Sequence, residues 1–374
     1  MLWEIKKLML RWQWVVVIVV TLLIVNAAML FSVVDRQLSE YLVYGDGLEN
    51  VYSQIEGTMT SDQISWIIEE RDRLNGIIDS GDYSTEDNQF GTYTGWVYAD
   101  CNLLNKIYDE VKYSFEYAVF ARSVQESAQE ILNRLSSIGN FADSKYYGQM
   151  MEAFRGRNVA AFYRTDGYVE YFEYAFSNLC ILLLTTLVIT TLFSEEREIR
   201  MDVILRLTSK GMVKARNHKL VTAFVFTVLI VMLFSIEDYV LFAYFYHFRG
   251  LMNPLYAIPE FQNTAFNLTI SGSLLINLIL KVVGTSTFTT FLLAASAVAR
   301  SNLSALVIGG ALLVICIVLN TVAPQISFVP LMNAMDQSKE FSYQVVWQTF
   351  VQMFLSIVAI ITTCLLDSIK NRQK

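Results

Sequence analysis

The sequence predicts an all-α, polytopic membrane protein with six transmembrane helices. Hydrophobic residues make up 54% and charged residues 17% of the 374 positions, whereas a soluble domain usually carries about 25% charged residues. The apolar residues are gathered into runs, and a helix needs roughly 20 of them to cross a hydrocarbon core ~30 Å thick at ~1.5 Å per residue. Several runs reach that length, and most of the charged residues lie between them.

Charged residues and prolines bound the predicted spans. The six predicted spans cover residues 12–34, 174–194, 220–246, a run that ends at Ala299, 303–323 and 345–366. The first run is too long for a signal-peptide core and has no small-residue cleavage pattern behind it, so we expect a retained helix. Amides such as Asn26, Asn178 and Gln348 lie within the spans, and helix–helix hydrogen bonds are favoured for them over substrate contact.

The orientation follows from the Lys and Arg residues of the short loops, which mark the cytoplasmic side. Fourteen lie on one side, in residues 1–11, 197–219, 300 and 367–374, and two, Arg249 and Lys339, lie in the short loops of the other side. The pattern predicts a multi-pass protein of the cell membrane, expected to be a bacterial plasma membrane, with both termini cytoplasmic. Residues 35–173 are then outside, because long segments are translocated largely regardless of their charge.

Residues 35–173 form the predicted extracellular domain, which carries 24 acidic and 11 basic residues. Thr60 and Gln63 stand in capping-box positions at the start of one helix. Apolar residues recur at intervals of three or four between residues 101 and 138, which predicts a long helix of coiled-coil or bundle type. We expect an all-helical domain that acts either as a spacer or partner-packing surface, or as a cover that handles substrate.

The densest charge lies between spans two and three, where residues 194–219 carry seven Lys or Arg and four Asp or Glu. Apolar residues recur four apart along this segment, at Ile199, Val203 and Leu207. Acidic residues lead and basic residues trail, which suits the helix dipole, and Gly211 is expected to end the helix. We therefore predict a short amphipathic helix on the cytosolic face. Taken alone, its physical chemistry favours a basic interfacial helix bound to anionic lipid.

This topology, together with the stretch FSEEREIRMDVILRLTSKGMVKARNHKL, resembles the permease subunits of ATP-binding-cassette (ABC) transporters of the ABC-2 exporter family. In that family the loop between spans two and three holds a coupling helix that docks into the ATPase subunit. The resemblance implies docking residues at Glu195, Glu196, Arg197, Glu198, Leu205, Leu207, Thr208 and Gly211. Many members have Gly after the Glu-rich start and Pro in the later break, where this chain has Arg200 and Ser209, so the helix 195–208 is expected to dock as a unit.

The resemblance also implies a non-catalytic subunit that exports a hydrophobic or amphipathic substrate, such as a peptide antibiotic, a lipid or a drug. Its expected partners are ABC ATPase subunits, a second permease that is identical or paralogous, and the lipid bilayer. The chain has no G-x-x-x-x-G-K-[ST] phosphate-binding loop, so ATP and Mg are expected on the partner subunit. No catalytic residue, bound cofactor, bound metal or nucleic-acid partner is expected for this chain.

The segment between spans five and six carries Pro324 and Pro330. In the ABC-2 family the corresponding segment resembles a short re-entrant hairpin at the outer leaflet. An ordinary proline-bearing outer loop fits the same residues equally well.

Three charged residues lie inside the apolar runs: Glu237 and Asp238 in span three and Lys281 in span four. Counted from Lys219 and Arg300 at ~1.5 Å per residue, all three lie at about the same depth, near the outer interface. The general behaviour of such residues favours snorkelling to that interface. The alternative is an ion pair between the two spans at an outer gate, with Glu237 and Lys281 as the pair to be tested. No other Asp, Glu, Lys, Arg or His lies deep in a predicted span, which weighs against an ion-coupled carrier.

Two further classes of function stay open. One is a membrane sensor or receptor whose extracellular helical domain binds a ligand, and it requires a cytosolic output domain or a partner that supplies one. The other is a membrane enzyme, which is disfavoured because no catalytic or metal-ligand cluster of carboxylates and histidines gathers at one membrane depth. Co-purification of an ATPase subunit separates the permease from the sensor.

Overall fold

The computed structural model describes residues 12–41, 46–81, 83, 92–138, 140–198, 211–299, 301–322 and 335–372. These residues are almost entirely helical, as the sequence predicts. Within them the named strands form one antiparallel pair of two residues each, β1 (Gly57–Thr58) and β2 (Ala161–Phe162).

Helices account for both the membrane region and the segment that follows the first span. The first helix is α1 (Trp12–Tyr41), and the helical domain, residues 46–165, holds α2 (Asp46–Ile55), α3 (Ser61–Ser80), α4 (Val97–Ile138) and α5 (Phe141–Phe154). Next come α6 (Asp166–Glu173), α7 (Phe176–Ile189) and α8 (Thr191–Glu198). The last long helices are α9 (Gly211–Tyr246), α10 (Ile270–Val298), α11 (Asn302–Val322) and α12 (Gln344–Arg372).

Six helical segments are long and apolar enough to cross a membrane, which confirms the predicted number of candidate spans. In chain order, spans one to six are Val15–Ser32, Asp166–Ile189, Val213–Tyr246, Ile270–Val298, Asn302–Leu319 and Gln344–Leu365. The fourth span lies on α10, which packs against α7, α9, α11 and α12 and so forms the centre of the bundle.

Span two, predicted over residues 174–194, is interrupted at Thr190, which separates α7 from α8. Tyr174 and Ala175, at the start of the predicted span, separate α6 from α7. A threonine hydroxyl that bonds the carbonyl one turn back tends to bend a helix. The Thr186 hydroxyl donates to the Leu182 carbonyl at 2.8 Å, and the Thr190 hydroxyl donates to the Thr186 carbonyl at 2.6 Å. The helix is therefore interrupted at Thr190, just before the charged segment begins.

Span three starts further upstream than predicted. The helix α9 begins at Gly211 and continues to Tyr246, so Gly211 opens this helix, whereas the sequence favours it as the end of the preceding one. Glycine is accepted at a helix N-terminus, and the Met, Lys, Ala and Arg residues that follow are good helix formers. The main part of the predicted amphipathic helix, residues 199–210, lies outside the described residues.

The helical domain has its own apolar core between α2, α3 and α4. Its fully buried members include Val51, Ile67, Leu74, Leu103, Leu104 and Ile107. The predicted capping box is present at the start of α3, where the Thr60 N–H donates to Gln63 Oε1 at 2.9 Å and the Gln63 N–H donates to Thr60 Oγ1 at 3.4 Å. The long helix α4 ends where the apolar spacing predicts and begins four residues earlier.

The helical domain also contacts the segment between spans three and four. Tyr113 and Tyr117 of α4 donate hydroxyl hydrogen bonds to the carbonyls of Tyr256 and Gln262, at 2.8 and 2.9 Å. Arg157, which is only 4% exposed, donates to a carbonyl of the same segment at 2.9 Å. The domain is therefore fastened to the bundle at a second place besides its connections to spans one and two.

Candidate functional site: a buried polar cluster and a junction after span two

Five polar residues from four spans meet inside the helix bundle, and we call them the polar cluster. They are Asn26 on α1, Tyr174 between α6 and α7, Glu237 and Asp238 on α9, and Lys281 on α10. Asn26, Asp238 and Lys281 are 0%, 2% and 3% exposed. Ionisable side chains inside membrane spans are costly and usually pair with one another or mark a functional pathway.

The charged pair of the polar cluster joins spans three and four. Nζ of Lys281 lies 3.9 Å from Oδ2 of Asp238, and both side chains are almost completely buried. Burying two charges costs several kcal/mol per ion even after relaxation, and only close geometry and further hydrogen bonds offset that cost. The Lys281 ammonium group alone does not offset the cost of burying the Asp238 carboxylate. This carboxylate therefore also requires its hydrogen bond from Asn26.

Asn26 supplies the further hydrogen bonds. Its amide nitrogen donates to Oε2 of Glu237 at 3.0 Å and to Oδ1 of Asp238 at 2.9 Å. Its amide oxygen accepts the Tyr174 hydroxyl at 3.0 Å. One asparagine thus holds span one against spans two and three, which confirms the predicted helix–helix role of this amide.

The structure brings the three predicted charged residues together in a different arrangement from the one expected. Lys281 faces Asp238, while Glu237 faces Asn26 and is only partly buried. Asp238 and Lys281 are enclosed by neighbouring helices, whereas Glu237 is partly exposed. Tyr174 was not among the predicted site residues, and its position where an apolar run begins, typical of interfacial aromatics, is the one sequence signal that points to it.

A second group of polar contacts ties the end of span two to spans four and five. We call the residues Thr190, Ser194, Ser296 and Asn302 the junction. The Ser296 hydroxyl donates to the Thr190 carbonyl at 2.7 Å, and the Ser194 hydroxyl donates to Asn302 Oδ1 at 2.7 Å. The N–H of Asn302 donates to Oε2 of Glu198 at 3.3 Å. The first residues of the charged segment are therefore linked to the start of α11.

Close packing supports the junction. Gly309 of α11 approaches α7 so closely that a Cβ atom built on it would lie 2.4 Å from Cγ2 of Thr190 and 3.2 Å from Cγ2 of Thr186. The next residue, Gly310, has open space at the same position. Only a glycine allows α11 to lie at this distance from span two.

The predicted docking residues are divided between described and undescribed parts of the chain. Glu195, Glu196 and Arg197 lie on the backbone of α8, and Glu198 ends it with an exposed side chain. Leu205, Leu207 and Thr208 lie outside the described residues, and Gly211 opens α9. The structure therefore gives the position of the start of the docking segment but not its contact surface.

The described residues contain no group of three or more His, Cys, Asp or Glu side chains that could hold a metal ion. Comparison of the chain with family models, curated proteins and solved structures found no match. Function is therefore argued from the residues and their geometry.

Proposed function

We propose that this chain is a non-catalytic permease subunit of an ABC exporter of the ABC-2 type. The support is a charged segment, residues 195–219, whose Glu-rich start and basic end match that family's coupling helix, in a chain with six candidate spans. The observation that carries the proposal is the packing of α8, the start of this segment, on α10 and α11.

The junction gives the segment a mechanical connection to the bundle. A partner that displaces residues 195–210 would pull on α8, and α8 is tied through Ser194 to Asn302 at the start of α11. Thr190, at the root of α8, accepts a hydrogen bond from Ser296 near the end of α10. Movement imposed by a docked ATPase would thus reach spans four and five as well as spans two and three, which the segment joins.

The remaining parts of the proposal follow from the same arrangement. ATP and Mg bind to a partner ATPase, because this chain has no phosphate-binding loop, and a second permease completes the translocation path. Both termini and residues 195–219 lie in the cytosol by the distribution of basic residues, with the helical domain outside. The candidate spans carry few charged residues, which fits an exported molecule that is hydrophobic or amphipathic.

Purification of the tagged full chain from native membranes in mild detergent, followed by an ATP-hydrolysis assay, tests the proposal. We expect a co-purifying subunit with a phosphate-binding loop and measurable ATP hydrolysis. Reversing the charges of Glu195, Glu196, Arg197 and Glu198 together should remove both the subunit and the activity.

A matched control reverses four exposed charges of the helical domain, at Glu130, Arg134, Glu152 and Arg155. This control variant should retain the ATPase subunit. A folded chain that purifies without any ATP-hydrolysing partner, or a partner that is retained equally by both variants, would overturn the proposal.

A further inference from the structure

A cavity of about 350 Å³ lies between spans three and four, next to the polar cluster. Met232, Ser235 and Tyr239 of α9 form one wall, and Leu274 and Leu278 of α10 form the opposite wall. Small-molecule sites in proteins typically occupy about 300–1,000 Å³ and combine an apolar lining with a few polar groups. The cavity has both the size and the composition of such a site.

The cavity opens towards the surface that these spans present to the bilayer. Met232, Ile236 and Leu275 at its rim are 37%, 56% and 58% exposed. The cavity lies beside the polar cluster, towards the outer ends of spans three and four, where a molecule entering from the bilayer can place its hydrocarbon chain between the apolar walls. No charged side chain lines the described walls, which disfavours an ionic ligand group within the cavity.

One residue of the cavity wall, Ser235, has a hydroxyl group that makes no hydrogen bond within the described structure. Oγ of Ser235 is buried, with 6% of the residue exposed, and has no hydrogen-bond partner. A helical serine or threonine usually bonds the carbonyl one turn back, as Thr227 of the same helix does to Ala223 at 2.9 Å. A buried hydroxyl without a partner is unfavourable by about 1–3 kcal/mol, so Ser235 favours a ligand that carries a matching group.

Tyr171 lines the same cavity, and its ring separates the cavity from the charged side chain of Lys281. Its ring centroid lies 5.9 Å from Nζ of Lys281, whose closest ionic partner is Asp238. The ring covers the ammonium group with an aromatic face, and cations are attracted to such faces. A ligand in the cavity therefore meets aromatic and aliphatic carbon and neutral hydroxyl groups.

We infer that this cavity binds the hydrocarbon chain of a membrane amphiphile, and that Ser235 hydrogen-bonds a neutral oxygen of that molecule, such as a hydroxyl or an ester. The occupant enters from the bilayer through the rim at Ile236 and Leu275. Binding requires only that spans three and four lie in a membrane, so the inference stands independently of the proposed transport function.

Photolabelling of the full chain in phosphatidylcholine nanodiscs tests the inference. Two probes are compared, a long-chain alcohol with a diazirine group and the corresponding alkane with the same diazirine. Peptide mapping should place the adducts of both probes on residues 232–239 and 274–278. Leu278→Trp, which fills the cavity, should reduce labelling severalfold, whereas Ile279→Trp, an exposed neighbour that does not line it, should not.

The hydroxyl is tested by Ser235→Ala. This variant should lower labelling by the alcohol about two- to tenfold, the range expected for one hydrogen bond, and leave labelling by the alkane unchanged. Ser273→Ala is the matched control, because the Ser273 hydroxyl already donates to the Thr269 carbonyl at 3.0 Å. If Leu278→Trp fails to fold in size-exclusion chromatography, Leu274→Phe replaces it.

Two results would overturn the inference. Adducts spread evenly over the exposed faces of all spans, unaffected by the filling variant, would show ordinary boundary lipid. Equal labelling by the alcohol and the alkane, in both wild type and Ser235→Ala, would show that the Ser235 hydroxyl does not contribute to binding.

Discussion

At the scale of single residues, the polar cluster carries the main lesson. The sequence predicts that Glu237, Asp238 and Lys281 lie at one depth, because depth follows from counting residues along a helix. It does not predict which carboxylate faces the lysine. Adjacent residues point about 100° apart around a helix axis, and the rotation of span three is set by packing against Asn26 and Tyr174, which has no local sequence signal.

The first prediction concerns the buried pair. Asp238→Lys or Lys281→Asp alone should lower the thermal unfolding midpoint of the full chain in detergent strongly, because an uncompensated buried charge costs ~3–5 kcal/mol. The double exchange of Asp238 and Lys281 should recover much of the loss. The double exchange of Glu237 and Lys281 should not recover stability, because Glu237 faces Asn26 and not Lys281. Recovery by the Glu237 exchange and not by the Asp238 exchange would contradict the observed pairing.

The second prediction concerns Glu110 in the helical domain, whose carboxylate accepts the Tyr52 hydroxyl at 2.8 Å. Burial, with the nearby negative charge of Asp166, raises the pKa of Glu110 from 4.5 to about 7, while Lys106 and Arg164 oppose the rise. Between those pH values the folded chain binds more protons than the unfolded chain, so this residue's contribution to stability falls as the pH rises from about 4.5 to about 7.

Thermal unfolding of the full chain across that pH range shows whether the contribution of Glu110 to stability falls as the pH rises. The stability of wild type relative to Glu110→Gln should decrease as the pH rises through the window. Glu116→Gln, at an exposed position of the same helix, is the control and should show no such trend. A difference that is independent of pH, or that grows with pH, would contradict the raised pKa.

At the scale of elements, span number and span interruptions differ in how far the sequence specifies them. Long apolar runs identify six spans because a bilayer demands a minimum length. The interruption of span two at Thr190 accompanies hydroxyl bonds of Thr186 and Thr190 to backbone carbonyls, and sequence alone does not decide whether such bonds form. The start of α9 at Gly211 was also missed, because glycine is found both at the beginning and just beyond the end of helices.

The third prediction tests the contact of α11 with span two. Gly309→Ala should destabilise the full chain by ~1–3 kcal/mol, the usual cost of overpacking, because the new methyl group meets the Thr190 side chain. Gly310→Ala is the matched control and should be neutral or slightly stabilising, since it has open space and alanine favours helix. Thermal unfolding midpoints measure both, and equal midpoints for the two variants would contradict the close approach.

At the scale of the whole molecule, the attachment of the helical domain to the bundle is the feature least visible in the sequence. Its helices follow from the capping box and the apolar spacing of residues 101–138. Its attachment to the segment between spans three and four does not, because Tyr113, Tyr117 and Arg157 reach partners more than a hundred residues away. Contacts of that separation leave no periodic pattern in either segment.

The fourth prediction is the orientation of the molecule. In intact cells a membrane-impermeant maleimide should label Glu130→Cys in the helical domain and should label Glu198→Cys only after permeabilisation. Both substitutions are made in a Cys364→Ser background, because the other native cysteines are buried, and burial also raises the pKa of the Cys101 thiol and keeps it unreactive. Labelling of Glu198→Cys without permeabilisation would reverse the proposed topology.

The central claim is that residues 195–208 dock onto an ATPase, and the most direct measurement is site-specific photocrosslinking in native membranes. A photoreactive amino acid at Leu205 should form an adduct with a subunit that contains a phosphate-binding loop. The same amino acid at Glu340, in the predicted outer loop before span six, should not. Adducts of position 205 with lipid alone would show an interfacial helix and would contradict the permease assignment.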